Sequence, residues 1–135
     1  MSRSGYSDDC DVQELNLWRG AVESALRGKR GQTLLADLIA GLDAMPVKRL
    51  VSNELITADG EFCSLGVVAR QRDILHDIKT LDPEDCAEVA KTFGIARALA
   101  AEVVFMNDEY FVSETPETKW SRMRDWAVSK LKEKP

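Results

Sequence analysis

The chain has 135 residues, of which 44% are hydrophobic and 30% are charged, and its formal net charge is -5. This balance predicts one folded domain with a substantial core, and the excess of acids disfavours non-specific nucleic-acid binding over the whole surface. No apolar run approaches the roughly 20 residues of a transmembrane helix, so we expect no membrane association. The N-terminus lacks an apolar signal segment and the three cysteines are widely spaced, which favours a cytoplasmic protein with reduced thiols.

The N-terminal part predicts an arm followed by a long helix. Residues 1–11 are rich in serine and aspartate, and we expect them to form a flexible arm ahead of a single helical domain over residues 12–135. Apolar side chains at helical spacing predict a helix over Val12–Arg27. Gly20 lies inside this helix, and we interpret it as a close contact with a neighbouring helix.

A basic segment separates this helix from the next. Residues 28–31 place Lys29 and Arg30 between two glycines, which predicts a tight, exposed and positively charged loop before a second helix over residues 32–45. Residues 19–49 hold six cations and three acids, so this region is a candidate site for phosphate or an acidic partner. The loop lacks the spacing of a phosphate-binding loop, and a solvated turn is the simpler interpretation.

The region after the second helix has β character. Residues 50–56 and 61–63 have strand-like composition, and an Asp-Gly pair between them is a tight-turn signal, so we predict a small β-hairpin. Apolar spacing from Ser64 onward predicts a further helix. Residues 73–80 fit either an extension of that helix or a loop.

Two proline-containing helix starts mark the C-terminal part. Asp82 followed by Pro83 predicts one start, and Thr115 followed by Pro116 predicts another. Between them, residues 93–106 are apolar around most of a helical circumference, which predicts a buried central helix. The elements together predict a mostly α, single-domain helical bundle of about five or six helices with one small β-hairpin.

The predicted turn at Gly94 has a partial regulatory pattern. Repressor-type helix-turn-helix units place an alanine four residues before the turn glycine, here Ala90, and Lys91 and Arg97 would then contact DNA. Residues 82–109 carry seven acids against these two cations, and those acids would repel phosphate. An ordinary helical corner is therefore favoured, and a helix-turn-helix DNA-binding regulator is the alternative function.

Patterns for catalysis and metal binding are weak. His76 is the single histidine and has no cysteine or histidine at ligand spacing, so we predict no metal site. Cys63 lies between a predicted strand and a helix, where nucleophiles occur, but a buried structural thiol is favoured. Residues 107–109 are interpreted as a solvated helix end. We assign no catalytic residue and no cofactor, and an enzyme of unknown class is the second alternative.

The last helix holds two further candidate contact residues. Trp126 lies beside the predicted buried stripe, so it either covers the rim of the core or faces a partner, and aromatic anchors are enriched at interfaces. Arg122 precedes it by about one helical turn. With Lys29 and Arg30, these two residues form the predicted partner-binding set.

Several strings occur together between Trp18 and Trp126. They are WRGAV at 18–22, RGKRGQ at 27–32, DGEFCSLG at 59–66, FGIA at 93–96 and ETPE at 114–117, with Trp120, Arg122, Met123 and Trp126 after them. Jointly they resemble a group of uncharacterised small proteins of tailed phages and prophages. The resemblance implies a setting and no activity. In that setting we predict an accessory protein that binds a host or phage protein, as an inhibitor of host defence or an adaptor, with its oligomeric state open.

Overall fold

The protein is mostly helical, as predicted. A computed structural model describes residues 12–110 and 113–133, and of residues 12–16 only the backbone, so the predicted arm lies outside the described residues. The described chain contains seven helices: α1 Val12–Arg27, α2 Lys29–Ala44, α3 Ser64–Gln71, α4 Leu75–Ile78, α5 Cys86–Phe93, α6 Arg97–Asp108 and α7 Pro116–Lys130. The number exceeds five or six because the undecided region contains the short α4. None of the described helices has both the length and the apolar character to span a membrane.

The predicted β-hairpin is not supported. Within the described ranges, extended pairing is limited to an isolated antiparallel bridge between Ile56 and Phe62. Asn53 adopts a φ of 72°, in the left-handed region, and this interrupts the first predicted strand. The segment forms a loop instead, with the Thr57 amide donating to the Glu61 carbonyl at 2.8 Å.

The turn between α1 and α2 is tighter than predicted. α2 begins at Lys29, so the connection is the single residue Gly28, and most of the predicted basic loop is the first turn of α2. Gly31 makes this possible, because a Cβ added there would lie 2.0 Å from the Ala25 carbonyl oxygen. A Cβ added at Gly20 would meet nothing within 4 Å. The predicted close contact at Gly20 is therefore wrong, and Gly31 makes it instead.

α6 is the buried central helix that the sequence predicts. Nine of its twelve residues are buried, and it packs against α1, α3, α5 and α7. Ala100 and Ala101 are fully buried, and their small side chains let neighbouring helices approach closely. α2 supplies the other large part of the core through four fully buried leucines, Leu34, Leu35, Leu38 and Leu42.

Of the two predicted helix starts that contain a proline, one is confirmed and the other lies before the observed helix. Thr115 caps α7 as predicted, since its side chain accepts a hydrogen bond from the helix backbone, and Pro116 is the first helical residue. α5 begins later than predicted. Its cap is Asp85, which accepts from the Glu88 amide at 3.2 Å, and Asp82 lies in the turn that precedes the helix.

Candidate functional site

Two exposed cations at the start of α2 stand between two clefts. A cleft of about 550 Å³ separates Lys29 and Arg30 from the start of α6, where Ala96 lines it. A second cleft of about 310 Å³ separates the same cations from the α5–α6 turn, where Gly94 lines it. Arg97 directly follows Ala96 and is exposed. We call the surface of Lys29 and Arg30, together with Arg97 at the facing start of α6, the basic corner.

Gln32 stabilises the α1–α2 side of the basic corner. Its side-chain NH₂ donates to the Leu26 carbonyl at 2.6 Å and to the Lys130 carbonyl at 3.1 Å, at the ends of α1 and α7. Its side-chain oxygen accepts from the Lys132 amide at 2.9 Å. Carbonyls at a helix end lack partners within the helix. One glutamine therefore satisfies two helix ends and ties both of them to the first turn of α2.

Arg72, at the end of α3, holds the α5–α6 turn against α2. Its guanidinium donates to the Asp37 carboxylate in α2 at 2.7 Å and to the Phe93 carbonyl at the end of α5 at 2.8 Å. Gly94 then ends α5 in a left-handed conformation, with φ 66° and ψ 36°, which glycine adopts without strain. This bridge explains why residues far apart in sequence share one surface.

Two acids of the helices that carry the basic corner are paired with other cations. Asp37 pairs with Arg72 at 2.7 Å, and the buried Glu102 pairs with Arg19 at 2.6 Å. In the described part of the chain, no carboxylate lies within ion-pair distance of Lys29, Arg30 or Arg97. An acidic protein thus presents a local cationic surface, which attracts a carboxylate or a phosphate.

Arg122 and Trp126, the other two residues of the predicted partner-binding set, expose little of their side chains. The Arg122 guanidinium donates to the Glu114 carboxylate at 2.9 and 2.5 Å. This hydrogen bond lowers the pKa of the Glu114 carboxyl, although burial acts in the opposite direction. Only 14% of the Arg122 side chain and 8% of Trp126 are exposed. The reason is that α7 buries a broader face than predicted, one that includes Lys119 as well as Trp126.

α6 lacks the exposed face of a DNA-recognition helix. Lys91 and Arg97 are both exposed, as DNA contacts require. However, nine of the twelve α6 residues are buried, whereas a recognition helix presents several side chains to base edges in the major groove. This geometry favours an ordinary helical corner around Gly94.

A buried polar centre joins α3, α6 and α7 around Asn107. The Asn107 side-chain oxygen accepts from the Ser64 amide at 3.0 Å and hydroxyl at 2.8 Å, and its NH₂ donates to the Val51 carbonyl at 2.9 Å. The Lys119 ammonium donates to the Asn107 backbone carbonyl and pairs with Glu114 at 3.3 Å. Asn107 is 1% exposed, so the predicted solvated helix end is wrong at this residue. These groups are hydrogen-bonded to one another, and we interpret the centre as structural.

The other candidates for chemistry have little geometric support. Cys63 precedes α3 as its N-cap residue and is 1% exposed, which agrees with a structural thiol. His76 is exposed on α4. Among the residues that the structure describes, no three histidine, cysteine, aspartate or glutamate side chains are placed to hold a metal ion.

Gln32 and Arg72, which build the basic corner, were missed by the sequence interpretation. Each acts on backbone carbonyls of distant segments, so neither carries a local sequence signal.

No protein family, curated protein or solved structure matches the chain.

Proposed function

We propose that this is a non-catalytic accessory protein of the phage and prophage type, which acts in the cytoplasm by binding a host or phage protein. The basic corner carries this proposal: Lys29 and Arg30 line two clefts, and Arg97 directly follows Ala96, which lines one of them. All three cations are exposed, and no carboxylate of the described chain pairs with them. An acidic segment of the partner supplies the missing carboxylates. The resemblance to phage proteins suggests an inhibitor of host defence or an adaptor.

An acidic protein segment suits the basic corner better than nucleic acid does. Ala21, Ala25 and Leu99 contribute apolar lining to the larger cleft, so the cleft can receive an apolar side chain next to an acid. The net charge of -5 repels an extended phosphate backbone outside the corner. Local positive charge in an acidic protein also favours one orientation of an acidic partner over others.

The charges of the basic corner contribute modestly to affinity and strongly to association rate. An exposed ion pair contributes about 0.2–1 kcal/mol, so loss of two cations is expected to weaken binding by roughly twofold to thirtyfold. Removing the two cations is expected to slow association with the partner, and the difference from wild type shrinks when salt screens the charges. The association rate and its salt dependence can both be measured once a partner is identified.

The test is a pull-down from the native host with tagged, full-length protein, with and without nuclease. The Lys29→Gln/Arg30→Gln variant is compared with Lys48→Gln/Lys79→Gln, which removes the same charge from exposed positions away from the first turn of α2. We expect a discrete protein that survives nuclease, is reduced in the first variant and is retained in the second. Equal recovery with both variants would refute the role of the basic corner. Recovery of DNA alone, lost at higher salt and in Arg97→Gln, would establish the DNA-binding alternative.

A further inference from the structure

A third cleft lies at the opposite end of α2 from the basic corner. The chain leaving α2 lies against the loop that carries Phe62, and the space between them measures about 300 Å³. Met45, Val47 and Phe62 supply its apolar lining. Val47 is 60% exposed. The cleft is therefore an apolar surface open to solvent, near the lower end of the size range of ligand pockets.

One cation of this cleft is available to a ligand. The Arg70 guanidinium lies over the Phe62 ring, 5.9 Å from its centroid, a contact that holds the charge beside the apolar wall. Among the described residues, no carboxylate pairs with Arg70. Arg49 also lines the cleft, but it pairs with Glu61 at 3.0 Å. Arg70 is thus the uncompensated charge at this site.

We propose that this cleft docks a segment of a partner protein in which an apolar side chain stands next to a carboxylate. The apolar side chain packs among Met45, Val47 and Phe62, and the carboxylate pairs with Arg70. Charge complementarity selects this occupant, because the lining holds two arginines against one glutamate. A basic segment is repelled at the same place.

The position of the cleft leaves room for a second bound segment, as an adaptor requires. α2 has 16 residues, and at about 1.5 Å per residue its two ends lie roughly 24 Å apart. The basic corner at one end and this cleft at the other can therefore hold two segments without overlap. The adaptor role rests on the proposed function, whereas the ligand chemistry of the cleft does not.

The cleft is tested by NMR titration of the isotope-labelled full chain with N-acetyl-leucine, which carries one apolar side chain and one carboxylate. N-acetyl-leucinamide is the matched neutral control. We expect saturable shifts at the amides of Val47, Gly60 and Phe62, with about fivefold weaker binding of the amide, the contribution of one exposed ion pair. Arg70→Gln is expected to weaken binding of the acid to the same extent, and Lys29→Gln is expected to leave it unchanged.

Absence of saturable shifts, equal binding of acid and amide, or insensitivity to Arg70→Gln would overturn the docking proposal. A concentration-dependent dimer that Val47→Asp abolishes in sedimentation experiments would assign the cleft to a second copy of the chain and would also overturn it. The adaptor role requires two partners. In the pull-down, the Arg70→Gln variant must therefore fail to recover one protein, and the Lys29→Gln variant must fail to recover a different one. Loss of one and the same protein by both variants would refute the adaptor role and leave the cleft as part of a single interface.

Discussion

Replacing Gly31 with alanine is expected to destabilise the protein and disturb the basic corner. A Cβ added at Gly31 would lie 2.0 Å from the Ala25 carbonyl oxygen and 3.1 Å from the Leu26 Cα, so the α1–α2 turn has to open. Overpacking costs up to roughly 3 kcal/mol, and the higher helix propensity of alanine offsets about 1 kcal/mol. The net loss is about 2 kcal/mol, which lowers the melting temperature by roughly 8 °C for a chain of this size.

Gly20→Ala is the matched control in the preceding helix. Gly20 is exposed and nothing lies within 4 Å of an added Cβ, so only the propensity gain remains, and we expect a stabilisation of about 1 kcal/mol. Thermal and urea denaturation followed by circular dichroism measure both effects, and NMR shifts at Lys29 and Arg30 report the displaced corner. Wild-type stability of Gly31→Ala, or destabilisation by Gly20→Ala, would refute the assignment of the close helix approach to Gly31.

Three further substitutions test the polar contacts of the fold. Asn107→Ala leaves the buried Ser64 groups without their acceptor and is expected to cost roughly 2–4 kcal/mol in urea denaturation; wild-type stability would contradict a structural role. Glu114→Gln breaks a buried ion pair, at a cost of roughly 3 kcal/mol at neutral pH. Because folding lowers the pKa of Glu114, this difference from wild type is full above the unfolded-state pKa of about 4.3 and shrinks as pH falls below it, whereas a pH-independent difference would exclude the ion pair as its source. Arg72→Gln removes the link between α2 and the α5–α6 turn, and we expect hydrogen exchange at the Gly94 amide to accelerate by about tenfold; unchanged exchange would show that the turn is held by other contacts.

The helical elements were predictable where their signals are local. The bounds of α1 follow from apolar periodicity over residues 12–27, and the start of α7 follows from Thr115 and Pro116. The burial of α6 follows from a composition that is apolar on nearly every side. In each case, the residues that determine the helix lie inside it or next to it in sequence, so the sequence alone predicts the helix.

Several predictions were wrong because the residues that decide them are distant in sequence. Gly20 and Gly31 look alike in sequence, and only the placement of α2 against α1 decides which one must lack a Cβ. Asn107 was predicted to lie at a solvated helix end from its position on a single helix, and Trp126 was left open between the rim of the core and a partner contact. The packing of α3 and α7 buries both of them. The hairpin was predicted from composition, but Asn53 adopts a left-handed conformation that composition does not exclude.

The sequence by itself determined that this protein is mostly helical, which helix is central and which segment is basic, because periodicity, capping and charge are local properties. Only the tertiary structure decided that Lys29 and Arg30 lie beside the α5–α6 turn, and that Arg122 is paired inside the fold. The physical reason is that Gln32 and Arg72 satisfy carbonyls at the ends of helices distant in sequence. Such contacts depend on how whole helices pack, and no local pattern encodes them.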